Sequence, residues 1–169
     1  MQPEDYRAAV ERYRDMVWRV ALNGTRHTQD AEDVTQEVFL RLFTTRKPFQ
    51  GEAHLKHWLL RATVNRCRSL MASPWHARRA ALEPDEAAPD PAAQLGGEER
   101  DLYDALRTLP AQARLALYLY YFEGLSTREM AGLLHCTQTA VTTRLQRARQ
   151  ALRRAMTEEP ETEREDGAS

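Results

Sequence analysis

LHCTQTAVTTRLQRARQALRRAM, Leu134–Met156, holds five arginines and not one acid. Val141, Leu145, Ala148 and Leu152 recur at i, i+4, i+7 and i+11, the spacing of one buried stripe on an α-helix. Arg144, Arg147 and Arg154 line another face, with Arg149 and Arg153 beside it. Like charges at these spacings repel by about a few tenths of a kcal/mol each, so a helix selected only for solubility mixes its signs. This one does not, which points it at a polyanion. Immediately upstream, Ser126 and Glu129 are spaced as a capping box opening the short helix TREMAGLL, and HCT then turns the chain to Thr137, a second cap. A short helix, a three-residue turn and a basic helix form a helix-turn-helix, whose second helix enters the major groove N-terminus first. Gln138, Thr139, Thr142 and Thr143 are then expected at base edges or phosphates, with Arg144 and Arg147 neutralising backbone charge. The simpler alternative is a helical hairpin packed on something other than DNA.

Working outward, a helix is expected near Leu102–Leu106. Pro110 suits the first turn of the next, which runs through AQARLALYLYYFE and stops at Gly124. Before these lies EPDEAAPDPAAQLGGEER, Glu83–Arg100, with three prolines, a glycine pair and almost no large apolar side chains. Such a stretch buries too little to form a core and is expected to be a flexible linker. The tail TEEPETEREDGAS is expected to be disordered for the same reason. The net charge of −1 conceals an alternation. Residues 1–82 carry 14 Lys/Arg against 9 Asp/Glu, 83–101 carry 1 against 7, 102–156 carry 8 against 3, and 157–169 carry 1 against 6. Two basic modules separated and followed by acidic segments imply an all-α protein with domains at 1–82 and 102–156, an acidic linker at 83–101 and a tail at 157–169.

The first module predicts three helices. Val10, Tyr13, Val17, Val20 and Ala21 step at three and four residues. A second helix, capped by Thr28, runs to about Phe43; TTRKPFQGEA breaks the pattern, and a third runs from about His54 to Ala72. In the second helix Ala31, Val34, Val38, Phe39, Leu42 and Phe43 form a broad apolar face, with Asp33, Gln36 and Glu37 opposite. Leu40 sits in the middle of that polar side, an apolar centre ringed by acids and an amide, as small protein-docking patches are. The third helix is apolar round most of its circumference and leaves a stripe of His57, Arg61, Asn65 and Arg68, side chains that can contact phosphates and unstacked bases.

Other chemistries find little support. His54, His57 and Cys67 make at most three metal ligands with no zinc spacing, and Cys67 and Cys136 are spaced as core thiols rather than a disulfide framework. No phosphate-cradling glycine loop, nucleophile elbow or paired catalytic carboxylate occurs, so neither an enzyme nor a cofactor is expected. No run approaches the roughly 18 apolar residues of a membrane span, and the N-terminus lacks a basic, then apolar, leader. The expected location is cytoplasmic.

Two separated stretches together resemble the extracytoplasmic-function group of bacterial sigma factors, the initiation subunits of RNA polymerase. DAEDVTQEVFLRLF followed by WLLRATVNRCRSL resembles region 2 of that family, and LRTLPAQARLALYLYYFEGLSTREMAGLLHCTQTAVTTRLQRARQAL resembles region 4. The resemblance implies core RNA polymerase and promoter DNA as partners, and an anti-sigma factor as a further one. It assigns Asp33, Gln36, Glu37 and Leu40 to the polymerase clamp helices. It assigns the loop around Phe49–His54, with Asn65, Arg66 and Arg68, to the melted strand of the minus-ten element, and His57 and Arg61 of the stripe on the third helix are expected to face the same strand. The helix from Gln138 would read the minus-thirty-five element as duplex. His135 stands where the family's turn commonly has glycine and is expected to take a positive φ. Thr139, Ala140 and Thr142 stand where glycine, threonine and lysine are common, and the missing lysine removes one phosphate contact, about one unit of salt slope. A stand-alone helix-turn-helix regulator is the alternative, and it would need a dimer interface or tight duplex affinity of its own. A helical adaptor that binds no nucleic acid is a second.

Overall fold

The computed structural model describes residues 1–76, 78 and 96–157, and every regular element among them is helical. Helix α1 (Pro3–Thr25) starts with Pro3 at a position whose N–H has no helical partner anyway, and Glu4 and Asp5 sit favourably in its first turn. It stops at Arg26, whose φ of 61° turns the chain and lets its N–H reach the Leu22 carbonyl at 2.7 Å. Helix α2 (Thr28–Thr44) therefore begins one residue after the turn. Its cap is His27, which accepts from the Gln29 N–H at 3.3 Å, rather than Thr28, because the left-handed stop leaves no room for a longer connection. Helix α3 (Glu52–Met71) follows Gly51, whose φ of 106° only glycine takes readily.

Val17, Ala21, Val34, Val38, Leu42, Leu59, Ala62 and Cys67 pack these three helices together. The crossing of α1 over α3 is close: a Cβ on Gly24 would lie 2.9 Å from the Cys67 Sγ. Burial pushes the Cys67 thiol up to about 12, which makes it an inert core group as its spacing implied, whereas Cys136 is only partly covered.

The second half comprises α4 (Gly97–Thr108), α5 (Ala111–Tyr121), α6 (Thr127–Leu134) and α7 (Gln138–Thr157). Helix α4 starts earlier than expected, so residues 97–101, read from composition as linker, are helical. A glycine costs little at a cap, and the Arg100–Asp104 pair, 3.5 Å apart, spans one turn favourably. Thr157, read as the first residue of the tail, closes α7 with its hydroxyl on the Arg153 carbonyl. Pro110 caps α5 from just outside it. The rest of the expected linker, residues 83–95, and the tail from 158 lie outside the described residues.

The capping box forms as spaced. The Glu129 N–H donates to Ser126 Oγ and the Ser126 N–H to the Glu129 carboxylate, both at 3.1 Å. These bonds, the backbone one first, hold the Glu129 carboxyl below its ordinary range. Ser126→Ala should cost about 1 kcal/mol in urea unfolding. A lowered folded value adds stability that is present above the unfolded value and is lost as pH falls through the folded one. That loss in acid should appear in the variant as well as in the parent, because alanine keeps the backbone N–H that donates to the Glu129 carboxylate, while the cost of the missing hydroxyl cap on the Glu129 N–H remains.

Leu109, Leu115, Leu119, Met130, Leu133, Leu134, Val141, Leu145 and Ala148 form the core of this half. The same cluster takes in Val20 of α1 and Leu60 and Val64 of α3. Helix α1 lies against α5 and α3 against α6, so the two modules share apolar packing.

Candidate protein-docking and nucleic-acid surfaces

Asp33, Gln36, Glu37 and Leu40 are all exposed on one side of α2, and Leu40 keeps 62% of its surface in water. Phe43, one turn further, is 53% exposed although its position placed it on the apolar face. It lies in the last turn, where the Tyr6 ring meets it edge-on, centroids 5.1 Å apart. The apolar centre of the patch is thus wider than Leu40 alone. Arg66 adjoins this surface: its Nε donates to Glu37 Oε2 and its Nη2 to Oε1 at 3.3 Å. The resemblance grouped Arg66 with the melted strand; the structure places it against α2.

The segment leading into α3 is braced from several sides. The Gln50 N–H donates to His54 Nδ1 at 2.9 Å, which leaves the other ring nitrogen to face outward. The Phe49 ring stands edge-on to His54 and Trp58, at 5.2 and 5.7 Å. Tyr13 donates its hydroxyl to Glu52 Oε2 at 2.5 Å, and Arg12 pairs with Oε1 at 3.0 Å. The Tyr13 and Arg12 bonds hold the Glu52 carboxyl below its usual range, and burial, then Glu52, raises the Tyr13 phenol. Between α1 and this segment opens a cavity of about 960 Å³ lined by Arg12, Tyr13, Phe49 and the exposed cations Arg46 and Lys47. The sequence reading passed over Arg46 and Lys47. Their signal is the RKP triplet, two cations ahead of a proline that keeps the backbone extended.

The α3 stripe is divided. Arg61 is exposed. Asn65 and Arg68 instead meet the second half: Asn65 Oδ1 is 3.0 Å from His135 Nε2, and Arg68 Nη1 donates to the Leu134 carbonyl at 2.9 Å. His57 lies near enough to Glu129 to favour its charged form.

In α7 the expected stripe of Val141, Leu145 and Ala148 is buried, and Leu152 is half-buried. Thr137 caps the helix, its Oγ1 accepting from the Ala140 N–H at 3.0 Å, and His135 takes the positive φ expected of it, 54°. Gln138, Thr139, Thr142 and Arg147 are exposed, and Thr143 and Arg144 are half-buried beside them. Gln138 is already engaged, donating its amide to Thr127 Oγ1 at 2.8 Å and so tying α7 to α6. Arg149 folds back the other way, donating to the Tyr121 hydroxyl at 2.6 Å with its guanidinium over the Tyr120 and Tyr121 rings. Among the described residues no three His, Cys, Asp or Glu side chains gather as metal ligands would, and no helix is long and apolar enough to cross a membrane.

Comparison with known proteins assigns both halves. Residues 9–77 match the family model Sigma-70 region 2, and residues 99–152 match Sigma-70, region 4. The ECF RNA polymerase sigma factor SigE of Mycolicibacterium smegmatis is 36% identical over 153 residues, 85% of this chain, which spans 58% of that protein's length. The RNA polymerase sigma-H factor of Pseudomonas aeruginosa is 28% identical over 163 residues, 87% of this chain and 83% of that protein. The sigma factor RpoE of Bartonella quintana, solved with the anti-sigma factor NepR, shares the fold: TM-score 0.72 over 93% of this chain and 99% of that one, at 21% identity.

Proposed function

We propose, since this chain belongs to the sigma-70 family and within it to the extracytoplasmic-function group, that it is a transcription initiation subunit. It binds core RNA polymerase, recognises a promoter at two elements and holds the melted strand. The observation that carries this reading is the pairing on one chain of an acid-ringed, exposed Leu40 with a separate helix-turn-helix whose second helix carries an exposed Arg147 with a half-buried Arg144 beside it. A stand-alone regulator has no use for the first of these. The role is one of binding, with the polymerase supplying the chemistry in the cell interior.

The roles divide by surface. Asp33, Gln36, Glu37 and Leu40 dock on polymerase. Phe49, His54, His57, Arg61, Asn65 and Arg68 receive the unpaired minus-ten strand, with Arg46 and Lys47 added at the cavity mouth and Arg66 bracing Glu37. Gln138, Thr139, Thr142, Thr143, Arg144 and Arg147 face the minus-thirty-five duplex. The Bartonella relative was solved with an anti-sigma factor, and a partner of that class that covers the Leu40 face would keep this chain from polymerase.

Arg147→Glu tests the placement of α7. The carboxylate replaces a phosphate contact with repulsion, so transcription by the reconstituted holoenzyme should fall about tenfold on promoters that need the upstream element. The salt slope should drop by about one unit, and core binding should be unchanged. Undiminished transcription would remove α7 from the DNA.

A further inference from the structure

At the start of α7 two outward-facing side chains have each committed a hydrogen to the protein itself. Gln138 and Thr142 are both exposed and lie four residues apart, so one stands above the other on the helix. The Gln138 Nε2 donates to Thr127 Oγ1 at 2.8 Å, and Thr127 is half-buried at the first position of α6. The Thr142 hydroxyl donates to the Gln138 carbonyl at 3.1 Å, the bond that a helical threonine makes one turn back. Thr137, which precedes both, has its Oγ1 on the Ala140 N–H. What the pair still offers outward is the Gln138 Oε1 with its second amide hydrogen, and the lone pairs and methyl group of Thr142.

An amide has two unlike ends, and the one turned outward decides what it can read. In the major groove adenine presents an amino group beside the N7 acceptor, cytosine an amino group, guanine two acceptors, and thymine an acceptor with a methyl group. With the nitrogen end held by Thr127, Oε1 and the second N–H match adenine, accepting from N6 and donating to N7. Against guanine, Oε1 meets O6, oxygen on oxygen, and the Thr142 hydrogen is already spent on the backbone. The bond to Thr127 also removes rotamer freedom before DNA arrives, so less entropy is lost on contact.

We infer that Gln138, its amide oriented by Thr127, selects adenine in the minus-thirty-five duplex and turns guanine away. Thr127 touches no base and is a positioning residue. This rests on the placement of α7 in the major groove, N-terminus first, and it divides the labour along that helix. The first turn discriminates between bases, while Arg144 and Arg147 further along hold the phosphate backbone.

The test uses holoenzyme reconstituted from the full chain and core RNA polymerase, transcribing a promoter library whose upstream element is randomised. The parent should favour adenine over guanine about tenfold at one position of that element. Gln138→Ala and Thr127→Val should each bring that ratio to about twofold or less at the same position, with the preferences elsewhere kept. Thr127→Ser, which retains the hydroxyl, should retain the preference. A merely structural Thr127 would lower transcription on every upstream element alike and move no single preference. Any base but adenine at the position that Gln138→Ala relaxes, or an adenine preference that survives Thr127→Val, overturns the inference. Arg147→Glu on the same library tells this failure from that of the underlying placement. If Arg147→Glu lowers transcription but Gln138→Ala relaxes no position, α7 lies on the duplex and the role of Gln138 alone falls. If neither substitution changes transcription or preference, the placement of α7 falls and the role of Gln138 with it.

Discussion

Leu40→Glu should weaken association with core RNA polymerase by about thirtyfold or more while leaving the melting curve of the free chain where it was. The two outcomes separate because Leu40 has 62% of its surface in water and belongs to neither core cluster, so its loss removes no packing from the fold. At an interface the position is different. A leucine at the centre of a docking patch, with Gln36 and Glu37 one turn behind and Asp33 two turns behind, is the group that a partner would fully desolvate. Truncations at such centres cost about 2 kcal/mol or more. A carboxylate adds desolvation of its own charge and repulsion from Glu37 and Asp33. Titration of labelled chain with core polymerase reads the affinity, and an unchanged dissociation constant would remove α2 from the polymerase interface. Phe43, exposed one turn further along, is the next residue whose replacement should be felt.

The second large effect is on stability. Leu133 of α6 is wholly buried, in the cluster that also takes in Val141 and Leu145 of α7 and Leu60 and Val64 of α3. Leu133→Ala should cost about 2 to 5 kcal/mol, the transfer of the lost atoms plus a cavity that the helices close only in part. For a chain of this size that lowers the midpoint of thermal unfolding by on the order of 10 °C. Helix α6 has only eight residues, too few to stand without its packing, so the platform that aims α7 is lost with it. Calorimetry on the full chain measures the shift. A loss below about 1 kcal/mol would mean that Leu133 is not buried in solution.

Within single helices the sequence was a sufficient guide. The stripe of Val141, Leu145 and Ala148, the capping box at Ser126, the cap at Thr137 and the exposed Leu40 all follow from spacing along one continuous segment, because a helix converts residue number into direction at 100° per residue; the positive φ at His135 came from the family resemblance. Arg66 sits roughly 160° round α3 from Arg68 and pairs with Glu37 of α2 in the free chain, a contact between helices that spacing within α3 does not give. Phe43 was misplaced because periodicity gives a direction but not how far the neighbouring helix extends to cover it.

What sequence alone determined is the inventory: seven helices' worth of amphipathic pattern in two basic modules, an exposed leucine among acids, and a helix-turn-helix whose second helix is rich in arginine and free of acids. What only the tertiary structure decided is how the modules meet. Asn65 and His135 are 70 positions apart and Arg68 and Leu134 are 66 apart, and no local period relates them. Which apolar faces join is settled by complementary shape across both modules at once, since Val20, Leu60 and Val64 are equally apolar whether they face their own module or the other. The hydrophobic effect has no direction, and the choice of partner falls to packing and to the few polar links that fit only one arrangement.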